Sequence, residues 1–219
     1  MLAQSKILIV DDHPIFRKGL AQLINEEKDM AVCGEAETVF DAQKQIGKLA
    51  PDIVIVDMTL KDMSGLELIR YVRERYPDLP VLVLSMHDES LYAERVLRAG
   101  ARGYIMKQEM TDRVITGIRQ VLAGKIFVSE AMAESLIGKA TSKKTPAPMS
   151  PVDGLSDREL EIFTMIGRGV SRGEMAEKLN LSVKTVGTYR EKIKEKLNLK
   201  NSAELVKCAV EWVKETGAE

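Results

Sequence analysis

The stretch PDIVIVDMTLKDMSG, residues 51–65, places Ile53, Val54, Ile55 and Val56 directly before a carboxylate, Asp57. Apolar, β-branched residues at successive positions leave a strand no polar face, so both of its sides must be covered. Strands of this kind belong to parallel sheets packed between helices. An acid at the carboxyl end of one stands where open α/β folds bind their ligands.

The same unit repeats on either side. KILIVDD (6–12), MAVCGEA (30–36), PVLVLSM (80–86) and GYIMK (103–107) read as four more strands, and segments 14–25, 38–49, 64–76, 89–99 and 111–122 carry helical spacing of Leu, Ile, Val and Ala. With right-handed crossovers this gives an α/β fold, a five-stranded, doubly wound parallel sheet. Its carboxyl ends carry Asp11 and Asp12 after strand one, Asp57 after strand three, Ser85 after strand four and Lys107 after strand five. With strand one beside strand three, three carboxylates converge. They repel one another unless a cation is shared among them. Magnesium, which favours oxygen ligands and bridges carboxylates to phosphoryl groups, resolves the conflict and would leave one aspartate free to attack phosphorus.

After residue 125 the pattern changes. SEAMAESLIGKA allows one short helix at the start of a linker spanning 126–153, and 139–153 reads as a flexible hinge rich in Lys, Pro and small residues. Residues 154–219 then hold four short helical patterns and no strand signal. Ser156 with Glu159, Ser171 with Glu174 and Asn201 with Glu204 fit capping boxes, and Ser182 caps a fourth run. Twelve basic and eleven acidic side chains leave this part near neutral, yet Lys184, Arg190, Lys192, Lys194, Lys196 and Lys200 face only Glu191 and Glu195. A local basic patch of that kind attracts nucleic-acid phosphates. On a helical wheel Val186, Tyr189, Ile193 and Leu197 form the core face, with Lys184, Gly187, Thr188 and Glu191 on another. With the short helix and turn before it, this fits a helix-turn-helix whose second helix enters the major groove.

Composition agrees with two folded domains: 45% hydrophobic, 30% charged, net charge −1. Cys33 and Cys208 lie far apart in apolar runs, which argues against a disulfide framework or a zinc site. No apolar run approaches a membrane span, so a cytoplasmic protein without a membrane partner is expected.

The ordered set Asp11-Asp12, Asp57, Ser85, Tyr104 and Lys107 resembles the CheY-like receiver domain of two-component response regulators, over about residues 5–123. The segments LSDRELEIFTMIGRG and EMAEKLNLSVKTVGTYREKIKEKL resemble the LuxR-type DNA-binding domain, over about 155–210. The whole chain is thus similar to response regulators of the FixJ/NarL class. The resemblance implies strand order 2-1-3-4-5, a receiver at 1–125 and a LuxR-type domain at 154–219. It implies that Asp57 takes a phosphoryl group from a sensor histidine kinase. Asp12 and Asp57 would hold Mg2+ with the Thr59 carbonyl, and Asp11 would act mostly through water. Lys107 and Ser85 would meet the phosphoryl oxygens, while Ser85 and Tyr104 would form the switch, the aromatic ring turning inward on phosphorylation. The phosphorylated protein would bind promoter DNA as a homodimer through Lys184, Thr185, Gly187, Thr188, Arg190, Glu191 and Lys192.

Three features depart from the common pattern. Gln108 stands where many receivers have a proline after a cis peptide, so a trans bond or an unusually supported loop is expected. Gly187 and Tyr189 replace a frequent Lys and His. His13 and His87 find no ligand cluster in the sequence and read as loop residues, although His87, two after Ser85, could govern water access to a phosphorylated Asp57. Two rival readings are a phosphatase using Asp57 as nucleophile, weakened because Thr59 stands where such enzymes carry a general acid, and an adaptor whose terminal helices bind protein.

Overall fold

The computed structural model describes residues 4–61, 63–141, 151–179 and 181–216. The chain forms two compact units, Met1–Thr141 and Ser142–Glu219.

In the first unit five parallel strands, β1 (Ser5–Val10), β2 (Met30–Ala36), β3 (Ile53–Asp57), β4 (Val81–Ser85) and β5 (Gly103–Met106), lie in the order β2-β1-β3-β4-β5. Helices α1 (Pro14–Asn25), α2 (Val39–Leu49), α3 (Gly65–Arg75), α4 (Glu89–Ala99) and α5 (Met110–Leu122) follow the strands in turn. Alternation along each strand divides the core into two layers. Ile7, Ile9, Ile53, Ile55, Leu82, Leu84 and Ile105 meet Leu20 and Ile24 of α1 and Val114 and Ile118 of α5. The alternate residues Leu8, Val10, Val54, Val56 and Val83 are equally buried, and α2, α3 and α4 pack side by side. Because every strand runs the same way, all five carboxyl ends open on one edge of the sheet.

The boundary expected at 125 falls inside this unit. Phe127 pairs with the free edge of β5, donating its N–H to the Arg102 carbonyl at 2.9 Å and accepting from Tyr104 N at 2.8 Å. The expected short helix is α6 (Glu130–Thr141), capped by Ser129, whose Oγ accepts from Met132 N at 3.1 Å. It packs on α4, and the buried Glu89 at the start of α4 accepts Ser129 N at 2.8 Å. The link is short and local. An edge strand with unpaired backbone groups invites foreign strands, and Phe127 closes part of this one. Of the expected hinge, 142–150 lie outside the described residues, and Pro151–Gly154 form a 3-10 turn of the second unit.

The second unit holds α7 (Asp157–Gly167), α8 (Arg172–Lys178), α9 (Val183–Lys196) and α10 (Ser202–Thr216). Ser156 with Glu159 and Ser171 with Glu174 form reciprocal capping boxes. At α10 the reciprocity is altered: Asn201 Oδ1 accepts Glu204 N at 2.9 Å, but Glu204 reaches back to Lys200 N at 2.7 Å. Ile162, Phe163, Met175, Val186, Ile193, Leu205 and Ala209 form the core, each fully buried. Among the described residues no helix is long and apolar enough to cross a membrane.

Candidate functional site

Asp57 ends β3 and is 4% exposed, because the strand that carries it is buried throughout. Gly65 makes this possible. Its amide donates to the Met58 carbonyl at 2.9 Å, and a β-carbon there would lie 2.1 Å from the Asp57 carbonyl oxygen. Only glycine lets α3 begin so close to the acid.

Beside Asp57, the loop after β1 brings Asp11 and Asp12, and the end of β5 brings Lys107. The Lys107 ammonium lies 2.7 Å from both Asp11 Oδ2 and Asp57 Oδ2, 4.3 Å above the Phe16 ring. His13 N donates to Asp11 Oδ1 at 2.8 Å, and Thr59 N donates weakly to Asp57 Oδ1 at 3.4 Å. The His13 imidazole, read from sequence as a plain loop residue, enters the cluster instead: its Nδ1 is 2.8 Å from Asp12 Oδ1, 3.2 Å from Asp11 Oδ1 and 3.8 Å from Asp57 Oδ2. One ligand atom from each of Asp11, Asp12, His13 and Asp57 lies within 4.8 Å of the others.

Three acids against one lysine leave negative charge in excess. Burial pushes the Asp57 carboxyl up to about 6, with the Lys107 charge and hydrogen bond pulling it down and Asp11 pushing it up. Asp12 Oδ1 is buried and has no hydrogen-bond partner among the described residues; His13 is near enough for attraction but not aligned as a donor. A buried carboxylate oxygen with no donor is costly. A hard cation fits such a set of oxygens, which is the chemistry expected of Mg2+.

Ser85 and Tyr104 are both fully buried, and one residue connects them. His87 donates its N–H to Ser85 Oγ at 3.1 Å, and its carbonyl accepts from the Tyr104 hydroxyl at 2.9 Å. Its ring stacks on Tyr92 with centroids 4.6 Å apart, and Nε2 lies 3.2 Å from Thr59 Oγ1. The Tyr104 ring therefore already points inward here, where an inward turn was expected to accompany phosphorylation. Burial keeps its phenol well above the usual range. The Lys107–Gln108 peptide is trans and leads into a 3-10 turn at Lys107–Glu109.

In the second unit α9 presents Lys184, Thr188, Glu191 and Lys192 to solvent, with Thr185 and Gly187 partly covered. Lys194 pairs with Glu191 at 2.7 Å and Lys196 with Glu159 at 2.6 Å. Among the described residues Lys184 and Lys192 have no carboxylate partner, which leaves their charge for an external anion. Arg190, expected on the DNA face, requires correction. It is 8% exposed on the stripe of Val186 and Ile193, its Nε has no hydrogen-bond partner among the described residues, and burial with the nearby Arg172 charge lowers its pKa. Tyr189 and Leu197, expected in the core, are only half-buried.

The response regulator receiver domain matches residues 7–119, and the luxR family of bacterial regulatory proteins matches residues 153–209. The chain is 36% identical to the oxygen regulatory protein NreC of Staphylococcus carnosus, over 94% of this chain and 96% of the relative. Among solved structures, RcsB in a complex of two dimers on two parallel DNAs is 26% identical, with a TM-score of 0.57 over 93% of this chain and 97% of that one. RcsB from Salmonella enterica serovar Typhimurium, bound to a promoter in the presence of the phosphomimetic BeF3−, is 25% identical with the same TM-score over 93% and 97%.

Proposed function

The chain belongs to the two-component response regulators of the FixJ/NarL class, DNA-binding regulators of transcription rather than metabolic enzymes, and from that premise we propose that phosphorylation of Asp57 by a sensor histidine kinase controls its binding to promoter DNA. The observation that carries the reading is the meeting of Asp11, Asp12, Asp57 and Lys107 in one crevice.

In the proposed step a carboxylate oxygen of Asp57 attacks the phosphorus of a phosphohistidine. The new O–P bond forms as the P–N bond breaks, and the electron pair returns to the imidazole nitrogen, which takes up a proton. Lys107 sits close enough to exchange an Asp57 oxygen for a phosphoryl oxygen. The Ser85 hydroxyl, which accepts from His87 N, keeps its own proton to donate to the same group. Asp11, Asp12 and Asp57 with the Thr59 carbonyl would hold Mg2+, which when bound neutralises charge on the phosphoryl oxygens. Ile15, 89% exposed, and Met86, 60% exposed, follow the acid pair and Ser85 and offer an apolar landing for the kinase.

The output runs through the link Ser85–His87–Tyr104. A serine drawn to the phosphoryl group pulls on the His87 amide, and the Tyr104 hydroxyl is bonded to the same residue's carbonyl. The faces of α4, β5 and α5 respond. This is a population shift, so the phosphoryl group must interact better with one arrangement than the other. The phosphorylated chain then binds DNA as a homodimer. Helix α9 lies in the major groove, with Lys184 and Lys192 on phosphates and Thr185, Gly187, Thr188 and Glu191 toward the bases. Arg190 is not among these contacts.

The test is intact mass and gel retardation of full-length protein with acetyl phosphate and Mg2+. One phosphoryl group and tighter, salt-dependent DNA binding are expected in the wild type, and neither in Asp57→Asn. Equal modification of both proteins would displace Asp57 from its role.

A further inference from the structure

Arg17 lies on the buried stripe of α1 with Leu20, Ala21 and Ile24, and it is only 8% exposed. Each of its three nitrogens has an acceptor. Nη1 donates to the Asp11 carbonyl at 2.5 Å, Nε to Glu35 Oε2 at 2.9 Å and Nη2 to Glu37 Oε1 at 2.8 Å. Glu37 in turn accepts Lys61 Nζ at 3.0 Å, so the chain of contacts reaches the loop between β3 and α3. These partners come from the end of β1, the end of β2 and two loops that border the acid crevice.

Packing alone does not account for an arginine here. Replacing a buried ion pair by a well-packed apolar side chain is often neutral or stabilising, and a methionine would hold α1 on the sheet as well. What an apolar side chain cannot do is bind the Asp11 carbonyl. That carbonyl belongs to the peptide joining Asp11 to Asp12, the two acids that must both face Asp57. Asp11 N is already held by the Ala36 carbonyl at 3.0 Å. With Arg17 on the oxygen, the two peptide planes that flank the Asp11 α-carbon are both held, one at its N–H and the other at its carbonyl. The direction in which the Asp11 carboxylate leaves the backbone is fixed with them, and the Asp11–Asp12 peptide, held at its carbonyl, carries Asp12 into place.

We propose that Arg17 is a positioning residue of the phosphoacceptor site: anchored by Glu35 and Glu37, it locks the Asp11–Asp12 peptide so that both carboxylates converge on Asp57, and it thereby sets the site's affinity for a divalent cation. The proposal rests on the reading of the crevice given above. Partners one step removed from a metal commonly change affinity by about 10- to 100-fold when lost.

The experiment measures Mg2+ dissociation constants by calorimetry, and thermal unfolding in EDTA, for full-length wild type, Arg17→Met, Arg17→Lys and Glu35→Gln. Arg17→Met, which leaves the Asp11 carbonyl without its donor, is expected to melt below the wild type and to bind Mg2+ about tenfold more weakly. Arg17→Lys, which keeps one donor and the charge, should recover part of the affinity. Glu35→Gln, which spares the Asp11 contact, should change it least. A folded Arg17→Met or Arg17→Lys with wild-type Mg2+ affinity would overturn the proposal, as would a lower melting temperature as the sole effect. Should Arg17→Met fail to fold, Arg17→Lys and Glu35→Gln still decide. No Mg2+ binding by the wild type would instead remove the reading of the crevice itself.

Discussion

In the proposed reaction Asp57 acts as an anion, yet it is buried in a way that discourages ionisation. Its carboxyl, raised from 3.8 to about 6, binds a proton more tightly in the folded than in the unfolded chain. Its contribution to stability is therefore complete below about 3.8 and is lost as the pH rises toward 6. Without divalent ions, Asp57→Asn should stabilise the first unit by about 2 kcal/mol at pH 7.5 and by much less at pH 4.5, in urea unfolding followed by circular dichroism. The same sign predicts that apparent Mg2+ affinity falls below pH 6, since a proton and the ion compete for one carboxylate. Glu159 has the opposite sign. Burial raises its pKa, but the hydrogen bonds from Lys196 and Ser156 outweigh that and hold it low. Its contribution is present at neutral pH and fades as acid protonates it, so Glu159→Gln should cost about 1 kcal/mol at pH 7 and little at pH 3.

At the scale of elements, α1 and α4 run over the residues expected from their apolar spacing, because Pro14 and Asp88 mark their starts without ambiguity. The acid crevice was legible for a related reason: parallel strands apolar on both faces must end together, so the polar groups at their ends must meet. Arg17 and Arg190 were not legible, and they share a cause. Each falls on a helical stripe, three or four residues from Leu20 and Ala21 or from Val186 and Ile193, but a formal charge ordinarily marks an exposed position. The link that His87 makes between Ser85 and Tyr104 was not legible, because it runs through backbone atoms. Phe127 escaped since one residue paired to an edge strand leaves no periodicity. Its pairing predicts that a fragment ending at 125 is less stable than one ending at 141, by about 2 kcal/mol, and self-associates in sedimentation. In α9, Gly187 has open space around the position a β-carbon would take. Gly187→Ala should stabilise the second unit by about 1 kcal/mol in thermal unfolding and weaken DNA retardation, the added methyl meeting the groove.

For the molecule as a whole, acidic chemistry in one unit is set against a basic helix in the other, under a net charge of −1. DNA binding therefore depends on a local field. Lys184→Gln should lower affinity about equally for all sequences and reduce the salt slope by about 1, measured by retardation across a potassium chloride series. The single tryptophan, Trp212, lies on α10 in the second unit, its ring 5.7 Å from that of Phe163. Asp57 lies in the first unit, so a change in indole fluorescence on adding beryllofluoride would give an optical readout of the second unit's response that is built into the protein itself.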